Sequence, residues 1–316
     1  MKIKEYFNWS NAFFFLFFVP AFLMAYAPIK ALYDSSSQRE YYSHIVLIPL
    51  VSLYLVFQKR KLVFSKMVIP GTVYSIPGIK YTVPGIHVPE ITIAGIALLL
   101  AGALLYFLGR SVGAGLNQND FTAIIALAAV VFFNGGFLFA YGLHAYKAAL
   151  FPLLFLVFVI PIPSALMDGF IYVLQVGSTE FVNLLFMATG VPFFREGFVF
   201  HLPGMSVEVA RQCSGIRSSL ALLITAILAG HMFLNTWWKK VILAVLIIPI
   251  TMFKNGIRIL ILTLLGTYVD PKWLTESSLH RDGGIVFFIL ALLLMAPILY
   301  WLRKGEGRGE RVNSDE

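Results

Sequence analysis

The chain has 316 residues, 59% of them hydrophobic and only 13% charged, with a mean hydropathy of +0.82. An ordinary soluble domain is about a quarter charged, so too little charge is available to cover a water-facing surface, and a soluble globular enzyme is excluded. The net charge of +8 then serves to orient the chain in a bilayer rather than to mark a nucleic-acid partner, and a single cysteine excludes an internal disulfide or a multi-thiolate metal site.

A length that could make two domains reads instead as one multi-pass body, because no long polar stretch separates the apolar blocks. Eight segments approach the roughly 20 apolar residues that a spanning helix needs. They are Asn11 to Pro28, His44 to Phe57, Ile91 to Gly109, Phe121 to Gly142, Ala148 to Ser164, Gly215 to Leu234, Val241 to about Val269, and Gly284 to Leu302. The first, "NAFFFLFFVPAFLMAYAP", has no persuasive small-residue cleavage site and is followed by further spans, so it reads as an anchor and not a cleaved signal.

Between the second and third segments, Pro70-Gly71, Pro77-Gly78 and Pro84-Gly85 recur every seven residues around β-prone runs such as "IKYTV". This pattern predicts a series of turns forming a local structural cap. Further on, "DGFIYVLQVGSTEFVNLLFMATG" has apolar residues at helical spacing interrupted by Gln175, Thr179, Glu180 and Asn183. Met167 to Phe194 is therefore expected to be a helix at the membrane interface, or packed against the bundle, that does not cross. The next stretch, "GFVFHLPGMSVEV", is two short β-prone runs about Pro203-Gly204, a predicted outer hairpin that leads directly to the only cysteine. The expected fold is an all-α polytopic bundle of about eight transmembrane helices with one interfacial helix and a short outer β-hairpin. Residues 1–302 would form a single multi-pass domain and 303–316 a charged cytoplasmic tail.

Placing the N-terminus in the cytoplasm puts 14 basic residues inside and 7 outside, with Arg217, Lys254 and Arg258 in the membrane. The two-to-one bias predicts that both termini are cytoplasmic. It depends on Met167 to Phe194 not crossing, since a further crossing would invert everything downstream.

Three places could carry chemistry. In "ARQCSGIRSSL", Cys213 precedes an apolar helix, with Arg211 and Arg217 on either side. The positive end of the helix dipole and neighbouring arginines both favour thiolate over thiol. Ser214 could cap the helix and Gly215 permits close backbone approach. A lone cysteine in an apolar chain can equally be a small packing residue. In "MFKNGIRIL", Lys254, Asn255 and Arg258 interrupt an apolar span, where each charge costs about 2.5–3.5 kcal/mol on insertion scales. Such an arginine should face a cavity or a partner, unless it snorkels near a helix end. Asn255-Gly256, with Pro249 earlier, suggests a local break in the helix, and Lys254, one turn nearer the cytoplasm, is expected to tolerate Gln. In "SSLHRDGGIVFF", His280 lies just before the last span, where a histidine can also be simply solvated or a helix cap. His44, His87, His144, His201 and His231 are scattered, with no metal-ligand spacing, so neither metal nor cofactor is expected.

Together, Cys213, Arg258 and His280 fall in the outer half of the membrane or on its outer surface under this topology. A thiolate nucleophile, an imidazole acid/base and a guanidinium for an oxyanion make a complete acyl-transfer set. A rival reading keeps the charges but needs no thiol: a transport or exopolysaccharide-assembly component in which Arg258 and Lys254 bind an anionic lipid-linked sugar.

The segment "REGFVFHLPGMSVEVARQCSGIRSSLALL", followed by "NGIRI" and then "HRDGG", resembles the exosortase/archaeosortase family of multi-pass cysteine transpeptidases, over Ile45 to Leu302. The resemblance implies processing of exported proteins that carry a PEP-CTERM type tail: a short Pro-Glu-Pro-like motif, a transmembrane helix and a basic end. It implies Cys213 as nucleophile, Arg258 as the oxyanion or substrate-orienting group, and His280 as general acid/base. Arg211, Arg217 and Asn255 stand beside them as substrate-binding candidates. Many relatives have an acidic residue just ahead of the cysteine, where this chain has Arg211 and Gln212 and its nearest acid is Glu208, which leaves the choice of tail open. The implied partners are such exported proteins and membrane lipids. The implied location is the cytoplasmic membrane, with the site facing the periplasmic or extracellular side.

Overall fold

The computed structural model describes residues 9–34, 42–64, 73–76, 79–82, 93–211, 215–270, 272–275 and 283–312. Cys213, His280 and the three Pro-Gly pairs of the 70–85 segment lie outside the described residues. The chain divides into two compact units, Met1–Ser164 and Ala165–Glu316, each dominated by apolar helices. Among the described residues, seven helices are long and apolar enough to cross a membrane, and the protein is an all-α, multi-pass membrane protein. Six of them coincide with expected spans. The seventh is the segment expected not to cross, while His44 to Phe57 and Ala148 to Ser164 contain shorter helices.

The first unit is built on α5 (Gln118–Ala148). Its start is set locally: Asp120 N–H donates to the Asn117 side chain at 2.9 Å, which satisfies one of the free donors of the first turn. Helices α1 (Trp9–Asp34) and α4 (Ile93–Val112) both run antiparallel to it. Tyr141 O–H donates to Asn11 Oδ1 at 2.9 Å at one end, and Thr122 O–H donates to Pro28 O at 3.4 Å toward the other. With no hydrophobic drive between helices in lipid, packing depends on close approach. Gly135 of α5 supplies it, since a Cβ there would sit 2.6 Å from the backbone nitrogen of Leu99 on α4. The rings of Phe14, Phe137 and Tyr141 pack edgewise and tilted against one another on the α1 side.

Helix α2 (Leu47–Gln58) and the short α3 (Arg60–Val63) return toward the C-terminal end of α5, where Val63 packs with Ala145 and Ala149. Strands β1 (Val73–Ile76) and β2 (Ile79–Thr82) pair antiparallel, as the turn pattern predicts. After α5 the chain runs back along it. Ala149 N–H donates to Ala145 O at 2.9 Å, whereas Asn119 Nδ2 donates to Ile162 O at 2.8 Å and Ser164 N–H to Asp120 Oδ1 at 2.6 Å. Residues 149–164 thus travel the length of α5 without being a long helix. Only α6 (Leu150–Phe155) and one 3₁₀ turn, Leu156–Val159, are helical. Pro161 and Pro163 lack N–H donors and bar helical geometry in the residues before them.

In the second unit, α7 (Ser164–Thr189) has 26 residues, about 39 Å at 1.5 Å per residue. Of the two expectations for this segment, a helix at the interface or one packed against the bundle, its contacts match the second. Its polar residues Gln175, Ser178 and Thr179 are buried rather than turned to water. Its middle lies along α9 (Trp237–Tyr268): Gly177 meets Met252, Ser178 meets Asn255, and Phe181 meets Gly256. The polar stripe that reads as a wet face is an inward one with protein partners.

The expected hairpin is present and has one strand more than expected. Strands β3 (Phe194–Glu196), β4 (Val199–Leu202) and β5 (Met205–Glu208) form an antiparallel sheet in that order. Pro203-Gly204 makes the β4–β5 turn, with Gly204 at φ +86°. Phe200 and Val209 bury against Val182, Phe186 and Ile259. Helix α8 (Ile216–Phe233) runs antiparallel to α9, and α9 is continuous through Asn255-Gly256. The expected break is absent because Gly256 serves packing: a Cβ there would lie 2.9 Å from that of Phe181. Helix α10 (Lys272–Thr275) is a single turn, and α11 (Gly283–Val312) closes the unit. The last turns of α11 are tied to the start of α9. Glu306 accepts from Asn235 N–H at 3.1 Å and Thr236 N–H at 2.9 Å, and Lys239 Nζ donates to Leu302 O at 3.0 Å.

Candidate active site

The stretch around the only cysteine is anchored on both flanks, upstream by the sheet and α7 and downstream by the start of α8 against α9. Upstream, Val209 N–H donates to Phe198 O at 2.9 Å, which joins the chain to the sheet. The buried Gln175 of α7 donates from Nε2 to Val209 O at 2.7 Å. About two turns toward the start of α7, Asp168 forms an ion pair with Arg211. Downstream, Gly215 adopts φ +74° at the N-cap of α8. A residue with a Cβ would be strained in this left-handed conformation, and the space for one is tight as well. A Cβ at Gly215 would sit 3.2 Å from Asn255 Oδ1 and 3.4 Å from Lys254 Nζ.

Below that turn lies a buried polar cluster. Lys254 is 2% exposed and Asn255 0%. Lys254 Nζ donates to Ser218 Oγ, and the Ser218 hydroxyl donates to Gly215 O at 3.0 Å. Ser219 O–H donates to the same carbonyl at 2.9 Å. Asn255 Nδ2 donates to Ser178 Oγ of α7 at 3.0 Å. Arg258 stands one turn further along α9, half-buried, and its charge is close enough to that of Lys254 to repel it. The N-terminus of α8 adds the positive end of its dipole.

Lys254 makes no ion pair with a described carboxylate. The acids of α7 are committed elsewhere, Asp168 to Arg211 and Glu180 to Arg195. The site is therefore a concentration of positive charge held by hydroxyl and amide groups in an apolar setting. Such an arrangement favours negative charge that develops beside it.

Of the residues singled out from sequence, Asn255 and Arg258 fall in or beside this cluster. Arg211 and Arg217 are exposed, Arg211 already engaged by Asp168. Cys213 and His280 lie outside the described residues. Ser178, Ser218 and Asp168 are not marked by any motif in the sequence, and Lys254 is the most enclosed cation of the cluster. A signal did exist for α7: Gln175, Ser178 and Thr179 recur at the three-to-four residue spacing of one helix face. No group of three or more His, Cys, Asp or Glu residues able to hold a metal ion occurs among the described residues.

The sequence profile described as transmembrane exosortase matches residues 36–297, which cover parts of both units. No curated protein and no solved structure matches.

Proposed function

The chain belongs to the transmembrane exosortase family, and from that premise we propose that it is a membrane-embedded cysteine protease/transpeptidase that removes C-terminal sorting tails of the PEP-CTERM type from exported proteins. The observation that carries this reading is the doubly anchored stretch from Val209 to Ser218, which contains the only thiol. Two peptide units separate Cys213 from Gly215, so their Cα atoms are at most about 7 Å apart. The residue that carries the thiol is thus two positions in sequence from the carbonyl that Ser218 and Ser219 hold.

In the proposed reaction, the Cys213 thiolate attacks the carbonyl ahead of the tail. Arg258 stabilises the resulting oxyanion, as a positioned donor does in acyl transfer. Collapse breaks the C–N bond, His280 protonates the departing amine of the tail, and a thioester acyl-enzyme remains. Water or an acceptor amine, deprotonated by His280, then attacks the thioester and returns the thiol. Arg211, Arg217 and Asn255 are proposed as substrate contacts. The substrate is an exported protein with a short motif, a transmembrane helix and a basic end, presented within the lipid. Co-expression with such a protein should yield a shortened product and a hydroxylamine-sensitive adduct on Cys213. A substrate that keeps its tail and forms no adduct would reject the reading.

We also propose that both termini are cytoplasmic and that the site faces outward across the cytoplasmic membrane. Each unit supports its own part of this through its charge. In the first, Lys59, Arg60, Lys61 and Lys147 gather at the C-terminal end of α5, opposite Lys30 and Arg110. In the second, Lys239, Lys240, Arg303 and Lys304 gather where α11 is tied to the start of α9. At the opposite end, Arg195 and Arg211 are neutralised by Glu180 and Asp168. By the positive-inside rule, reporter fusions at either terminus should read cytoplasmic and a fusion in the Tyr268 to Gly283 loop should read external. Termini on opposite faces would mean that α7 crosses completely.

A further inference from the structure

We infer that Lys254 is a positioning residue for the proposed reaction, fixing the first turn of α8 and holding a buried positive charge beside the chain that leads from Cys213. The inference rests on the reading of Cys213 as the nucleophile.

The argument starts from a chain of hydrogen bonds. The Lys254 ammonium donates to Ser218 Oγ, and the same hydroxyl donates to the Gly215 carbonyl. Successive bonds of this kind polarise one another, so the ammonium acts on the peptide group at the start of α8. The glycine itself brings the two together. Its left-handed φ and missing side chain let Lys254 Nζ lie 3.4 Å from where a Cβ would be.

A neutral amide could make the bond to Ser218 equally well. A charge buried to 2% exposure is expensive in an apolar span, and its repulsion by Arg258 adds to that expense. What an ammonium supplies beyond an amide is its field, directed at the residues just ahead of α8.

Among the described residues, the charged groups around it are few. Arg258 lies on its own helix, and Arg217 on α8 is exposed. On α7 the facing group is the neutral Ser178, while Asp168 and Glu180 are paired to Arg211 and Arg195. A thiolate that forms beside this cluster therefore meets positive charge from two helices, and Lys254 is the source that is best enclosed.

The chain has one cysteine, so alkylation of the full-length protein in detergent reads that thiol alone. The pH midpoint of alkylation and the processing rate should be measured for Lys254→Gln, Lys254→Met and Lys254→Arg. We expect Gln and Met to raise the midpoint by about one pH unit, which is the size of shift a nearby charge produces. At neutral pH processing should fall about tenfold with the thiolate fraction, and recover as pH is raised. Arg should keep the low midpoint, because it keeps the charge. Ser218→Ala, which breaks the relay and retains the ammonium, should shift the midpoint less than Gln does.

An unchanged midpoint in a folded Gln variant overturns the inference, even if activity is lost. A slowed reaction that high pH does not restore overturns it as well. Should Lys254→Met fail to fold, Gln, which can still bond Ser218, decides the matter. Failure of the underlying reading would look different: tails would be removed at the normal rate without the Cys213 thiol, whatever the Lys254 variants did.

Discussion

Replacing Cys213 with alanine should abolish tail removal while the protein remains inserted at its normal level. The loss should be complete, because no second thiol exists in the chain and no other group can carry the acyl intermediate as a thioester. The fold should survive, because the neighbouring anchors use other side chains. Gln175 holds Val209, Asp168 holds Arg211, and Lys254 holds Ser218. The measurement is the ratio of full-length to shortened substrate, taken with the level of membrane-inserted enzyme. Normal processing in this variant would end the covalent mechanism. It would leave a non-catalytic component whose cations bind an anionic lipid-linked substrate.

Arg258→Lys should lower the processing rate by about two to three orders of magnitude, the cost of one oxyanion donor, although the charge is retained. Lysine lacks the planar fork that directs two donors at one oxygen. A second ammonium one turn from Lys254 would only repeat a point charge already present, with the repulsion between positions 254 and 258 undiminished. The half-buried position of Arg258 leaves room for a lysine side chain, so the protein level should hold. Processing at close to the wild-type rate, or a defect that follows protein loss alone, would make Arg258 a structural anchor and pass the oxyanion role to another group.

Local features of the sequence proved informative wherever the cause was local. Long apolar runs marked α1, α4, α5, α8, α9 and α11, and Pro203-Gly204 marked the β4–β5 turn. The remaining features share a different origin. Gln175 suited an interfacial helix as well as a packed one because its acceptor, Val209 O, lies 34 positions later in the chain. Gly256 resembled a helix breaker, but it admits the side chain of Phe181 from another helix. The same distance hides the partner of Lys254, since nothing nearby in sequence announces the hydroxyl of Ser218, 36 residues earlier. In lipid the apolar pattern says where a helix runs, whereas the partner of each polar side chain is chosen by packing between distant segments.

The clasp between Glu306, Lys239 and the start of α9 has a mechanical consequence. It closes one end of the α9–α11 pair with bonds to main-chain groups of both helices, so sliding of one helix along the other is resisted there, and any tilt of α9 against α11 would take the clasp as its pivot. Lys254 lies 19 residues from Asn235, a lever arm of about 28 Å at helical rise. A tilt of about 5° at the pivot would therefore displace the level of Lys254 and Arg258 by about 2.5 Å, close to the length of a hydrogen bond. A rocking of α9 on this scale would be enough to make or break single contacts at the far end.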